Sequence, residues 1–266
     1  MGPGCGRGAG ARRAALALSA GFGVGPLVAG VLAQWAPLPM ELPYLAHVVL
    51  TVPVVAAVVG VPETRRAGAP RPGSRVHLPP RFRRVVAPMA PWAFGAPALS
   101  FAVQPAALGS RLAGFGLVYA TLLTTVTLAV GVLVQSWARR LSPVTGARLG
   151  LAGLVAGVLV AAAAAGIGSP VLAVPASAVL GAAYGLLLVA GLLEVQQMAE
   201  PARLGGLTAV YYALTYVGFV LPVLLAALAG PVGYPVLLVG VAVLAALSLA
   251  VVAWAGRAPV ELPARG

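Results

Sequence analysis

The sequence predicts an all-α polytopic membrane bundle of about eight transmembrane helices, and three observations carry that prediction. The chain is 61% hydrophobic and only 8% charged, where a soluble domain carries about a quarter charged residues. So much apolar surface finds no polar exterior in water, whereas lipid requires none. Second, the apolar runs reach the roughly 20 residues that cross a hydrocarbon core about 30 Å thick. They are apolar on every side rather than alternating, which favours helices over a barrel. Third, all 17 basic residues are arginines, and they gather in alternate intervals between the runs.

The elements follow in order along the chain. Residues 1–13 are a glycine-rich start, expected to be disordered. The first span, 14–33, contains Gly21, Gly25, Pro26 and Gly30. The second, 44–61, is the shortest and is interrupted by Pro53. Residues 62–84 form an Arg- and Pro-rich linker, with Pro62, Pro70, Pro72, Pro79 and Pro80 among seven arginines. A six-helix unit over 85–255 comes next, with spans at 85–109, 114–137, 149–168, 170–193, 206–229 and 235–255. Only Ser169 separates two of these, so Gly166–Pro170 reads as a tight reversal. Residues 256–266 are a short tail. Glycine and proline, at 34 and 24 residues, suit membrane helices, where neighbours re-satisfy freed backbone groups.

Orientation comes from the arginines. Every one except Arg111 falls on the same side when intervals alternate across the bilayer. An even number of spans is therefore expected in the cell membrane, with both termini and the 62–84 linker cytoplasmic. A net charge of +12 would point to nucleic acid in a soluble protein. Here the positives lie between apolar runs and are not interleaved with stacking aromatics, so no nucleic-acid partner is expected; the partner is the lipid bilayer. Arg12 and Arg13 before an apolar run imitate an export signal, but the run is too long and seven more follow it. Cys5 is the only cysteine, so neither an internal disulfide nor a thiolate metal cluster is available.

Several motifs resemble one family. The run Gly21-Phe22-Gly23-Val24-Gly25-Pro26-Leu27-Val28-Ala29-Gly30 resembles the G-x-x-x-G-P-x-x-G-G motif in the fifth helix of major facilitator superfamily exporters, with Ala29 in place of a glycine. Pro62-Glu63-Thr64-Arg65 is similar to the P-E-T-R that follows that family's sixth helix. The resemblance continues through Ala90-Pro91-Trp92-Ala93-Phe94-Gly95 and Tyr211-Tyr212-Ala213-Leu214. It implies that the chain corresponds to helices five to twelve of a twelve-helix bacterial exporter, a partial fold with 14–61 as the remnant of the N-terminal bundle. It also implies alternating access around a midplane substrate site. The loop Gln135-Ser136-Trp137-Ala138-Arg139-Arg140-Leu141 keeps the family's arginines but lacks its acidic residue.

Candidate functional residues are few. Gly21 and Gly25, one helical turn apart, permit close helix approach, and Pro26 removes a hydrogen bond; gating and plain packing both accommodate them. Glu194 near the end of its span is expected to pair with Arg203 or with a loop arginine, as an ion pair or coupling site. His47 near the outer end of its span is a second titratable candidate. The chain has no aspartate, so no midplane carboxylate relay is expected. Gln104, Thr124, Gln135, Tyr211 and Tyr212 are candidates for lining a substrate cavity, since amides, hydroxyls and aromatics orient an amphiphile in apolar surroundings; threonines bonding their own helix are the competing reading. No Ser-His-Asp set, HExxH or carboxylate pair is present, so an enzyme is not expected, and neither is a cofactor or a metal. The expected function is small-molecule export by alternating access, incomplete as this chain; the alternative is a non-transporting membrane module or half of a split transporter that needs a partner supplying the missing helices.

Overall fold

Serine followed by proline opens two of the helices, and the reason is local. Ser142 and Ser169 stand in extended backbone and accept hydrogen bonds from the Thr145 and Leu172 N–H groups. The proline that follows each has no N–H to leave unpaired at the first helical position. Gly168 ends the preceding helix at φ +67°, a left-handed conformation that glycine adopts without steric cost. The reversal expected at 166–170 is therefore a glycine stop followed by a serine start.

The computed structural model describes residue 21 and residues 24–60, 78–200 and 203–256. Eight apolar helices run through them: α1 (Val24–Trp35), α2 (Leu42–Val59), α3 (Phe82–Ala107), α4 (Gly116–Ala138), α5 (Pro143–Ile167), α6 (Pro170–Met198), α7 (Leu204–Val232) and α8 (Tyr234–Ala255). Seven of them, α2 to α8, are long and apolar enough to cross a membrane. α1 is shorter over its described part, and the remainder of the expected first span lies outside the described residues. The chain is a polytopic helical bundle.

Two expected boundaries are corrected. The linker was expected to reach residue 84, yet the chain is already helical from Pro80, so Arg81 stands at the cap of α3 and Arg83 and Arg84 lie on it. Likewise α5 begins at Pro143 rather than 149, which places Arg148 inside a helix. Both follow from arginine's long stem: a helix can extend beyond its apolar run while the guanidinium reaches back to the interface. The Arg148 Nη2 donates to the Ala253 carbonyl at 2.9 Å, near the C-terminus of α8, where the helix dipole favours a cation.

α6 occupies the centre, packed by α5, α4, α3 and α7. Small residues set its contacts. Along α5, Gly146, Gly150 and Gly157 face Ala190, Leu187 and Leu180 of α6. On its other side a methyl placed at Gly181 or Gly185 would strike the backbone of Thr127 or Gly131 in α4. The two backbones touch there, as small residues four apart allow in membrane helices. α3 and α7 approach in the same manner at Gly95 and Gly218.

α3 is not a uniform helix. Pro91 and Pro97 stand inside it, and wider π-helical turns occupy Phe82–Val86 and Leu99–Val103. Pro88 and Pro105, just past the two wide turns, have no N–H to close a regular turn there, and a π turn commonly marks a functional position.

Candidate functional site

The aromatic residues of α3, α6 and α7 converge on a cavity of about 500 Å³. Phe94, Pro97 and Phe101 come from α3, Leu128, Val132 and Gln135 from α4, Tyr184 and Leu188 from α6, and Tyr212, Tyr216 and Phe219 from α7. On α3, Phe94, Pro97 and Phe101 follow helical spacing, and on α4 so do Leu128, Val132 and Gln135, so each helix presents one face. The short 3₁₀ turn at Gly218–Val220 brings Phe219 beside Phe94, with ring centroids 5.3 Å apart and nearly parallel. Tyr216 meets Phe94 edge-on at 5.2 Å. Tyr216 and Phe219 are both exposed, so the cavity opens beside α7.

The lining carries no formal charge. Six aromatic rings supply most of the wall, while Gln135 and three tyrosines supply hydrogen-bonding groups. Such a wall buries an apolar or aromatic body and orients it through a few polar points.

Of the five cavity candidates expected from sequence, Gln135 and Tyr212 line this space. Tyr211 does not. It is fully buried with its hydroxyl against the Leu187 and Leu188 carbonyls of α6, and Gly191 leaves room for its ring. Adjacent helical residues differ by about 100° in direction, so Tyr211 and Tyr212 serve different neighbours. Thr124 donates to the Ala120 carbonyl of its own helix, the competing role for threonine. Gln104 is buried in a separate polar cluster with Ser100, Thr127 and Ser177. The aromatic lining residues Phe94, Phe101, Tyr184 and Phe219 were not singled out from sequence as cavity candidates. Their spacing on α3 is a detectable signal; their convergence with α6 and α7 is not.

Glu194 is completely buried and forms a two-pronged pair with Arg81, Nε to Oε2 and Nη2 to Oε1, both at 2.9 Å. The partner is thus the linker arginine rather than Arg203, which instead approaches Glu200 at 3.6 Å on the exposed surface. The reason is the early start of α3, which carries Arg81 alongside the end of α6. Phe82 and Val195, the next residues in sequence after Arg81 and Glu194, belong to one buried apolar cluster with Val86, Leu207 and Tyr211 that joins α3, α6 and α7.

The Gly-Pro motif is placed differently from the expectation. A methyl at Gly21 or Gly25 would meet nothing within 4 Å, so neither makes the expected close approach. Gly30 does: it is buried, and a methyl there would overlap the Thr121 side chain of α4. Gly30 lies about 140° around the helix from Gly25, which is why only one of the two faces is in contact. His47 is exposed on α2. Among the described residues there is no group of three His, Cys, Asp or Glu side chains placed to hold a metal ion.

No protein-family model, curated protein or solved structure matches the chain.

Proposed function

We propose that the chain is a small-molecule transporter of the major facilitator type, with the aromatic cavity between α3, α4, α6 and α7 as part of its substrate path. The observation that carries this reading is the cavity itself: about 500 Å³, uncharged, and bounded by four membrane-length helices. Its substrates are amphiphilic molecules with an aromatic or branched apolar body, held by ring contacts and oriented by Gln135 and the tyrosine hydroxyls. The sequence motifs around Pro26 and Pro62 support the family, and the arginine distribution supports a cell-membrane setting with cytoplasmic termini. Export is the direction that the family resemblance favours.

A second reading has its own observation. No residue of α2 is buried, and Gly30 is the one buried residue among the described positions of α1. This favours a membrane module whose first two helices pack against helices from another chain. One experiment separates the two readings. The purified 266-residue chain is placed in liposomes loaded with a panel of amphiphilic dyes, and dye efflux is followed alongside equilibrium dye binding. Flux sensitive to Tyr212→Ala and Phe94→Ala establishes a self-sufficient transporter. Binding with the same sensitivity but no flux establishes the module that needs a partner. Neither binding nor flux overturns the substrate-path assignment.

A further inference from the structure

One end of the bundle collects arginines. Arg81 at the start of α3 reaches Glu194 near the end of α6, and Arg148 near the start of α5 reaches Ala253 near the end of α8. Leu207, near the start of α7, joins the same buried cluster as Phe82 and Val195, and residues 139–142 link the end of α4 to the start of α5. These termini therefore share one end, where Arg83, Arg84, Arg139 and Arg140 are exposed. The glutamates there are already engaged, Glu194 with Arg81 and Glu200 with Arg203. Among the described residues, Arg83, Arg84, Arg139, Arg140 and Arg148 have no carboxylate partner. Such a concentration of unneutralised positive charge attracts anions.

Arg148 differs from the other four in being held. Its Nη2 donates to the Ala253 carbonyl at 2.9 Å, and a methyl at Gly256 would lie 3.2 Å from the same nitrogen. The guanidinium is thus fixed against the end of α8, yet the residue is partly exposed. Much of its hydrogen-bonding capacity is unused. Nε is buried with no partner, and Nη1 makes no hydrogen bond and is not enclosed. A guanidinium is a rigid fork of N–H donors that matches phosphate oxygens. Held in place and without a counter-ion, this one is preorganised for a phosphate group, since little side-chain entropy is lost on binding.

Depth selects the source of the phosphate. Trp254, the residue after Ala253, and Trp137, close to Arg139, are exposed on membrane-length helices. Exposed tryptophans on such helices settle at headgroup level, which puts Arg148 at the level of the lipid phosphates. Along α8, Trp254, Val251, Leu247 and Leu244 are all exposed and recur at helical spacing. This apolar stripe leads from that level into the hydrocarbon region, where an acyl chain lies.

We propose that Arg148, at the end of α8, binds the phosphate of an anionic phospholipid whose acyl chain follows the Trp254–Leu244 stripe. The exposed arginines of the same end supply longer-range attraction. A zwitterionic lipid carries the same phosphate with a compensating ammonium, so the positive end favours the anionic one. The site requires only the membrane bundle and holds whether or not the chain transports.

The test uses the purified full chain, stripped of native lipid in detergent. Phosphatidylglycerol, phosphatidylcholine or inorganic phosphate is added at equal concentration. Lipid affinity is read by native mass spectrometry and stability by thermal unfolding. Phosphatidylglycerol should bind at least about tenfold more tightly than phosphatidylcholine and raise Tm by several degrees, with inorganic phosphate giving no rise. Arg148→Gln should lower phosphatidylglycerol affinity at least about tenfold, as loss of charge-assisted hydrogen bonds requires, and Arg148→Lys should restore part of it. Arg83→Gln, which removes only distant attraction, should lower it about fivefold at most. If Arg148→Gln does not fold, tryptophan quenching decides. Brominated phosphatidylglycerol should then quench the wild-type chain more than brominated phosphatidylcholine does, and Trp254→Phe should abolish the excess. Equal affinity for the two lipids, equal losses in Arg148→Gln and Arg83→Gln, or equal quenching overturns the proposal. A Tm rise with inorganic phosphate that matches the rise with phosphatidylglycerol also overturns it, leaving a site for soluble anions.

Discussion

α2 and α6 are both long apolar helices, and the bundle treats them in opposite ways. Two-thirds of the most apolar window of α6 is buried inside the protein, whereas none of that of α2 is. Hydropathy does not separate them, because in lipid a valine gains little by exchanging hydrocarbon for another helix. Side-chain size does. α6 contains Gly181, Gly185 and Gly191, and each is filled by a neighbour: the Thr127 backbone, the Gly131 backbone and the Tyr211 ring. α2 contains no glycine between Leu42 and Val59 and none of its residues is buried, so within the described chain it makes no backbone-to-backbone approach of the kind α6 makes. Within this bundle, apolar character takes a helix into the membrane and small residues draw it to the centre.

The sharpest way to break that contrast is at the polar end of α6. Glu194→Ala leaves Arg81 only partly exposed and without its partner, and is expected to cost about 3–5 kcal/mol. Thermal unfolding in detergent checks it. The double replacement Arg81→Met with Glu194→Met should be far milder than the sum of the singles, since two apolar side chains replace the pair together. A double-mutant cycle showing simple additivity would contradict the buried pair. Next in size is Gly185→Val, whose side chain meets the Gly131 backbone. Separating α4 from α6 should cost about 1–3 kcal/mol or more, visible as a lower Tm.

Smaller effects sharpen the comparison further. Tyr211→Phe keeps the ring against Gly191 but removes the hydroxyl that bonds the Leu187 and Leu188 carbonyls. Its cost should be about 0.6 kcal/mol and at most about 1.7, the range for polar contacts between membrane helices. The smallest effect belongs to α2: Val49→Ala, at a position 70% exposed, should change stability within about 0.5 kcal/mol. A large loss at Val49 would mean that another chain packs on α2, and crosslinking across that face would then identify it.

Much of this architecture was legible beforehand because it depends on one-dimensional signals. Run length and composition anticipate helices close to the observed α2 and α4 to α8. Gly168, Ser169 and Pro170 mark the reversal between α5 and α6 because capping chemistry is local. The start of α3 was missed: Arg81, Arg83 and Arg84 look like loop residues, and only the docking of Arg81 on Glu194 shows why the helix includes them. The candidate site was legible in fragments. Gln135 and Tyr212 line the cavity, but Tyr211 turns to α6 and Gln104 to Ser177, because neighbouring residues on a helix point in different directions.

The sequence by itself determined that the chain is a bundle of apolar helices with membrane length, and where those helices turn. These follow from hydrophobic length and capping, each a property of a short stretch. Only the tertiary structure decided that Glu194 belongs to Arg81, that six aromatic rings line one cavity, and that Gln104 joins Ser177 and Ser100 in a buried polar cluster. Those outcomes depend on which helix faces meet. In a membrane that choice rests on the fit of small residues across helices, a property of pairs of segments far apart in the chain.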